Sequence, residues 1–450
     1  MKMKNEEMKK IFAIIFCSVC CGITATAQTT YTLEQLKQLA VDNNYTLNSS
    51  KNAIQQAKQT EKSALTNFFP QISASGVAFQ NNKPLIDIDV ELPEAVKEVL
   101  GGMGVGDIPS NISLLKKGVI GSVSAIQPVF MGGKIINSNK LARVGVEASE
   151  LRLELSEDQV EMTTEQYYWQ MVSLKEKKKT LTAMHSMLTE LEKDVNNMVR
   201  VGARNRNDLL QVQLRKAEVE TSILEIDNGL TTTSQLLAQH VGKTGETIDV
   251  MVPVELAEGK TVDMPLSLRQ DHATALNATP QYQLLTKNVE AQKLQHRMQI
   301  GANLPQVAVG ALYNYNDFMG KNSNAMMFAT VRVPISDWWG GSHKIKKQRL
   351  ALDDAKEQMQ DNGQKLIIRM NNAWAAVETS HKKLQIAHDA IEQADENLRL
   401  NRDYYRVGTT KMSDLLFAQE QYQQARDRFT DAYATFQTKI LEYRQATGQE

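Results

Sequence analysis

Two halves of this chain repeat each other at a constant offset of 206 residues: Pro128 recurs as Pro334, Arg200-Val201-Gly202 as Arg406-Val407-Gly408, Asp208-Leu209-Leu210 as Asp414-Leu415-Leu416, and Gly242 as Gly448. A period this long is far outside the roughly 20 to 50 residues of solenoid repeats, so the repeated unit is a whole substructure. Whatever the first half builds, the second is expected to build again.

Proline placement shows what is repeated. All ten prolines lie at 70–128 or 253–334, leaving 129–252 and 335–450 free of them. Proline costs about 3 kcal/mol in a helix interior, so these two windows permit long helices. Leu181, Met184, Leu188, Leu191, Val195 and Met198 step by three and four, as do Leu384, Ala387, Ile391, Ala394 and Leu398. After a break Leu415, Ala418, Tyr422, Ala425, Phe429, Ala432 and Phe436 resume the pattern, which is a coiled-coil seam. Each window breaks once, at Val201-Gly202 and Val407-Gly408, where glycine can end one helix and the polar residues at 205, 207 and 413 can cap the next. The expectation is two antiparallel helical hairpins, at about 131–242 with its tip at 201–208 and at about 340–448 with its tip at 407–414. Some 65 residues of helix would rise about 100 Å.

The proline-bearing segments alternate instead. Gln71–Phe79, Val119–Val129, Gln306–Tyr315 and Met327–Ile335 read as strands; Val307, Val309, Ala311, Tyr313 and Tyr315 share one face, and Met327, Ala329, Val331, Val333 and Ile335 another. Period two over about 10 residues suits a strand that crosses an outer membrane, although an ordinary half-buried hairpin gives the same pattern. The two β-hairpins fall at about 70–129 and 305–335. The first carries an insertion at 81–118, read as a surface loop with a short helix near 93–100. Four strands cannot close a barrel, and an open edge in lipid leaves backbone groups unsatisfied, so strands in a membrane have to be pooled between copies. Two chains would give eight and three would give twelve, and only the larger count leaves an unfilled lumen.

The amino terminus predicts export. Lys9-Lys10, an apolar run from Ile11 to Ile23 and Ala25-Thr26-Ala27 form the three parts of a cleaved signal peptide, residues 1–27. All three cysteines (Cys17, Cys20, Cys21) lie inside it, so the mature chain has no disulfide, thiol or cysteine metal chemistry; lipidation at Cys20 or Cys21 is the alternative to simple cleavage. Cleavage leaves 47 basic and 50 acidic side chains, a balance that gives no support to nucleic-acid binding.

With the Tyr31-Thr32-Leu33-Glu34-Gln35-Leu36 opening, the Phe69-Pro70-Gln71 and Leu304-Pro305-Gln306 strand starts, the two Val-Gly tips and the duplication, the chain resembles the outer membrane efflux protein family, the TolC-like channel-tunnels. The resemblance covers nearly the whole mature chain. It implies a mainly α fold with β: a first repeat at 28–242, an equatorial linker at 243–280 and a second repeat at 281–450. It implies a homotrimer with a twelve-stranded β-barrel in the outer-membrane lipid and an α-helical barrel in the periplasm. Such a protein is the exit duct of a tripartite efflux pump or type I secretion system, with a periplasmic adaptor (membrane fusion protein) and an inner-membrane transporter as partners.

The resemblance also places a gate at the helical tips. Tyr405 lies where a tip tyrosine bonds an acidic residue, the position of Asp208, and Asp414 lies where a ring of aspartates narrows the entrance. Thr410 stands where an arginine link is expected and Phe417 where a second aspartate ring would be, so Arg406 or Lys411 would have to supply the cation. Asp208 and Asp414 can equally serve as helix caps. Val201, Gly202, Val407, Gly408 and Thr409 form the adaptor-docking tips, and Tyr313, Tyr315, Trp338 and Trp339 fit aromatic girdles at the membrane interfaces, or ordinary packing at a domain corner.

No catalytic residues, cofactor or metal set stand out. His381 and His388 read as solvated surface without a completing ligand, Gly132-Gly133 and Gly340-Gly341 as turns into helices, and Lys175–Lys179 as an exposed helix face. An envelope coiled-coil adaptor or scaffold without a membrane barrel is the alternative to the duct; it accounts for the hairpins but not for four alternating segments with symmetric proline flanks.

Overall fold

The computed structural model describes residues 30–83, 86–89, 93–102, 111–114, 117–317, 322–335 and 337–449. The expected signal peptide and much of the expected loop at 81–118 lie outside them. The strands are β1 (Thr30–Tyr31), β2 (Gln71–Gln80), β3 (Ile86–Asp89), β4 (Asn111–Leu114), β5 (Lys117–Phe130), β6 (Asp249–Val250), β7 (Gln306–Asn316) and β8 (Asn322–Arg332). The helices are α1 (Leu33–Asn43), α2 (Tyr45–Thr66), α3 (Glu94–Gly102), α4 (Lys134–Arg200), α5 (Arg206–His240), α6 (Val254–Ala257), α7 (His272–Ala275), α8 (Pro280–Ala302), α9 (Asp337–Val407) and α10 (Met412–Thr447). No described helix is long and apolar enough to cross a membrane. The chain divides into two compact units, one of residues 30–50, 153–279 and 365–449, the other of residues 51–152 and 280–364.

The second of these units holds a four-stranded antiparallel sheet in the order β2-β5-β7-β8. Its register sorts the side chains by parity. One face aligns Ser75, Ser122, Asn314 and Asn324 in a row across all four strands. The Ser75 and Ser122 hydroxyls are 2.7 Å apart, and those of Ser73 and Ser124 2.8 Å. The opposite face aligns Ile72, Ala125, Ala311 and Met327, then Ala74, Val123, Tyr313 and Ala325. Each outer strand, β2 and β8, has one side without a partner strand among the described residues.

Three of the expected strands lie within two residues of their observed bounds, but β8 starts at Asn322 and ends at Arg332 rather than running over 327–335. Asn322, Ser323 and Asn324 pair with β7 as fully as the apolar residues do, and hydropathy gives them no weight. Pro334, without an N–H, stays out of the ladder. Within the 81–118 insertion α3 was expected, whereas the β3–β4 hairpin was not; four-residue strands leave too short a period to read.

Between strand and helix, Gly132 and Gly133 turn with φ of 62° and 76°. A Cβ on Gly132 would overlap the Gly301 carbonyl at the end of α8, so two backbones touch there with no side chain between them. The second glycine pair behaves differently from expectation. Gly340 and Gly341 lie inside α9, and Gly341 leaves room for the Asn303 side-chain amide.

In the other unit the predicted seam is the core. Leu181, Met184, Leu188 and Val195 of α4 are buried with Val212 and Val219 of α5, Leu398 and Tyr405 of α9, and Met412, Leu415 and Ala418 of α10. A second, aromatic cluster gathers Tyr168, Trp169, Trp374, Phe429, Tyr433, Phe436 and Tyr443. The irregular 249–278 segment is tied to it: Tyr168 donates to the Met251 carbonyl at 2.6 Å, and the Tyr443 oxygen accepts from the Gln270 N–H at 3.1 Å. Thr32 caps α1 in a reciprocal box with Gln35.

Two surface readings are corrected here. The basic run is only partly a solvated face: Lys179 is exposed, but Lys175 pairs with Asp249 at 2.8 Å, Lys177 with Asp431 at 2.8 Å and Lys178 with Asp227 at 2.6 Å. These are partners far away in sequence, which periodicity along α4 cannot reveal. His381 bonds the Val262 carbonyl at 3.0 Å with its ring on Phe436, and His388 lies against Phe429, so both are packing residues.

Two outcomes follow. Gly132→Ala should lower the thermal unfolding midpoint, losing more than about 1 kcal/mol because alanine disfavours the positive φ and overlaps Gly301. Gly340→Ala, in open space within a helix, should be neutral or stabilising by about 0.5–1 kcal/mol. Burial, then Glu154, Glu161 and Glu157, push the Asp158 carboxyl up to about 6 against the pull of Arg369. The native chain therefore retains a proton that the unfolded chain has lost, and unfolding free energy falls as pH rises from about 4 to about 6. Melting curves across that window should show the decline in the wild type and a flatter profile in Asp158→Asn.

Candidate functional site

The four long helices end in two loops within one unit, and their chemistry is set by how the helices stop. Gly202 and Gly408 take φ of 76° and 86°, the left-handed turn that ends α4 and α9. Val201 and Val407 then stand 80% and 71% exposed, unusual for aliphatic side chains beside a buried seam. Thr409 turns back on the Tyr404 carbonyl, its hydroxyl donating at 3.1 Å.

The helices that leave the loops are capped differently from expectation. Asn205 is the N-cap of α5, but its side chain makes no cap hydrogen bond. Ser413 lies within α10 rather than before it. There the Asp414 carboxylate accepts from the Lys411 N–H at 3.4 Å, the Thr410 hydroxyl at 3.0 Å and the Ser413 hydroxyl at 3.3 Å. Within one chain Asp414 is thus a first-turn anchor of α10, where a carboxylate also complements the helix dipole. Phe417, one turn further, is 60% exposed.

Tyr405 is the buried member of the set, at 5% exposure in the seam core. Its hydroxyl has no hydrogen-bond partner, so it does not bond Asp208, although that carboxylate is near enough to disfavour the phenolate. Burial, opposed by Arg204 and reinforced by Asp208, holds the phenol above its ordinary pKa. The cation here is Arg204, from the loop of the first hairpin: its Nη2 donates to the Tyr405 carbonyl at 2.8 Å, and its Cζ lies 4.4 Å from the Tyr405 ring centroid. Arg406 instead lies along its own helix with Asp403, at 3.8 Å. Sequence reasoning overlooked Arg204, because it has no counterpart in the second loop and the repeat directed attention to matched positions. The surplus of arginines at 200, 204 and 206 around one short loop was the available signal.

Further along, Arg215 of α5 donates to Gln423 of α10 at 3.2 Å, another polar tie between the hairpins. In the sheet unit, Tyr313 and Tyr315 are 50% and 38% exposed on the apolar face, and Trp339 at the start of α9 is 82% exposed. Trp338 lies in the same helix turn, with its side chain outside the described part.

Comparison with known proteins bears on the fold and on the second half of the sequence. Residues 273–449 match the family described as outer membrane efflux protein. No curated protein matches the sequence. Among solved structures, the chain is similar to CusC (13% identity, 94% of each chain covered, TM-score 0.76). It is also similar to the outer membrane protein VceC of Vibrio cholerae (13% identity, 93% of this chain and 96% of that one, TM-score 0.73). The Campylobacter jejuni CmeC outer membrane channel matches as well (16% identity, 92% of this chain and 85% of that one, TM-score 0.74). Residues 273–449 thus match the outer membrane efflux protein family, and over nearly all of the chain the fold is similar to that of solved outer-membrane channels.

Proposed function

We propose that the protein is a trimeric channel-tunnel, the passive exit duct of a tripartite efflux pump or type I secretion system, with a gate at the helical tips. The observation that carries this reading is the sheet: four strands with a tyrosine-bearing apolar face, a mixed face that carries rows of Ser and Asn, and two edges unpaired among the described residues. In hydrocarbon such edges have to be closed by further strands, and twelve strands from three copies leave an open lumen. The Ser and Asn rows then face water and the Ile, Ala, Met and Tyr rows face lipid. Tyr313, Tyr315, Trp338 and Trp339 serve as interface anchors. The sequence repeat supports an origin of the two hairpins by duplication.

The tips carry the partner-facing and gating roles. Val201, Gly202, Val407, Gly408 and Thr409 offer exposed apolar and backbone surface to a periplasmic adaptor, which in turn recruits an inner-membrane transporter. Asp414 from each copy, together with Asp208 and Phe417, lines the constriction, while Tyr405 is held in the buried seam. Three carboxylates around one narrow lumen favour cations. A coiled-coil scaffold is the weaker reading, since it leaves the apolar tyrosine face of the sheet in water.

Native mass spectrometry of the mature protein extracted from outer membranes in mild detergent should give three copies; a detergent-free monomer would overturn the duct. In planar bilayers Asp414→Asn, which keeps a polar first turn but removes the charge, should bring the potassium-over-chloride preference towards about 1. An unchanged preference would leave Asp414 with its capping role alone.

A further inference from the structure

We propose that the helix ends beside the sheet form a cationic collar that binds the phosphate headgroups of anionic phospholipid in the leaflet facing the helices. This rests on the duct reading above. The strand register gathers the helix-bearing strand ends at one end of the sheet, where Gln71 lies opposite Ile126, Phe130 opposite Val307 and Gln306 opposite Arg332. From that end run α2, α4, α8 and α9, and side chains tie them in pairs: Asn139 donates to the Ala64 carbonyl at 3.0 Å, and Gln348 to the Gln292 side chain at 2.8 Å.

Charge is sorted sharply along these helices. Residues 57–70, 131–146, 291–305 and 338–352 hold eleven Lys and Arg but one acidic residue, Glu61, in a chain whose totals are 51 and 52. Acidic residues resume at once beyond them, with Glu147 and Glu150 on α4 and Asp353, Asp354 and Glu357 on α9. The cations sit at matched places in the repeat. Lys58 and Lys62 recur as Lys293 and Arg297 at an offset of 235, that of Pro70 and Pro305, and Lys140 and Arg143 recur as Lys346 and Arg349 at 206. Spacings of three and four put each pair on one face of its helix. Of the eight, only Lys58 and Arg143 have an acidic partner among the described residues, Glu150 at 3.8 Å and Glu147 at 3.4 Å. Lys62, Arg297 and Lys140 lie four, five and six residues from the helix ends nearest the sheet, a rise of about 6–9 Å, and their long stems can carry the charge back towards it. Around the strand ends stand the exposed Phe68, Phe69, Phe130 and Trp339. An aromatic rim followed by unpaired cations is complementary to an anionic lipid surface, with rings at the headgroup level and ammonium and guanidinium groups in reach of phosphate.

Native mass spectrometry of the full mature protein released from nanodiscs of phosphatidylethanolamine with one quarter phosphatidylglycerol tests this. Phosphatidylglycerol should be retained about three-fold or more above its share of the bilayer, and half-molar salt should reduce the excess. Neutralising the collar with Lys62→Gln, Lys140→Gln, Arg297→Gln and Lys346→Gln together should return retention to the bulk share, whereas Lys62→Arg, Lys140→Arg and Lys346→Arg should keep the excess. An equal loss of charge in the other unit, with Lys193→Gln, Lys382→Gln, Lys383→Gln and Arg428→Gln, should leave it unchanged. If the quadruple collar variant does not assemble, Arg297→Gln with Lys346→Gln replaces it and should lose about half of the excess. No excess in wild type, an excess that the collar variant keeps, or an equal loss in the control variant would overturn the collar. So would displacement of the lipid by an excess of inorganic phosphate, which would make the site one for free anions. Wild type that enters no bilayer as an oligomer would instead sink the duct reading, and the collar with it.

Discussion

An edge strand cannot be left open in hydrocarbon, and that constraint governs the rest of this molecule. Each unpaired N–H and C=O along β2 and β8 costs several kcal/mol in lipid. The sheet can be in a membrane only if other strands complete it, and the proposed pooling between copies follows from backbone chemistry before any side chain is considered. The side chains agree with it. A sheet closed in this way has one wet face and one dry face; one face of β2, β5, β7 and β8 carries the Ser and Asn rows among apolar residues such as Ile120 and Leu312, and the other is mostly aliphatic with Tyr313 and Tyr315. A hairpin packed against a soluble core would need only one of these faces to be consistent.

The helical part meets a different demand, which is to keep long helices in register with few close backbone contacts. The buried seam does this by burial alone, and α4, α5, α9 and α10 all contribute to the core that contains Tyr405. Specificity is added where the seam ends. A nonpolar core tolerates sliding, whereas the single Arg204 hydrogen bond to the Tyr405 carbonyl and the Arg215–Gln423 bond each fix one relative position. The tips therefore combine a cohesive but undirected interior with a few directional contacts at the rim.

Much of this was legible in sequence because it is periodic or punctuated. The seam residues Leu188, Leu384, Leu415 and Phe436 are fully or nearly fully buried, as their spacing required, and both tip glycines take positive φ. Strand pairing was legible where aliphatic and aromatic residues marked it. It was not at Asn322–Asn324, whose contribution to the ladder is made by the backbone and is invisible to hydropathy. The pairings of Lys175 with Asp249 and of Arg204 with Tyr405 were beyond reach for a common reason: each joins residues that are distant in sequence and carries no periodic signature. Position within a repeat did not help either, since Arg204 is a point where the two halves differ.

The rows of Ser and Asn on the sheet have a consequence for what the wall of a closed barrel can discriminate. Apart from Arg332 at the end of β8, the described residues on that face of β2, β5, β7 and β8 carry no formal charge. A nearly uncharged face attracts neither sign of ion, so as the lining of the proposed barrel it would sort solutes by size and not by valence. Whatever preference for charge the proposed duct has would then be exercised outside these four strands, at a place separate from the one that limits size.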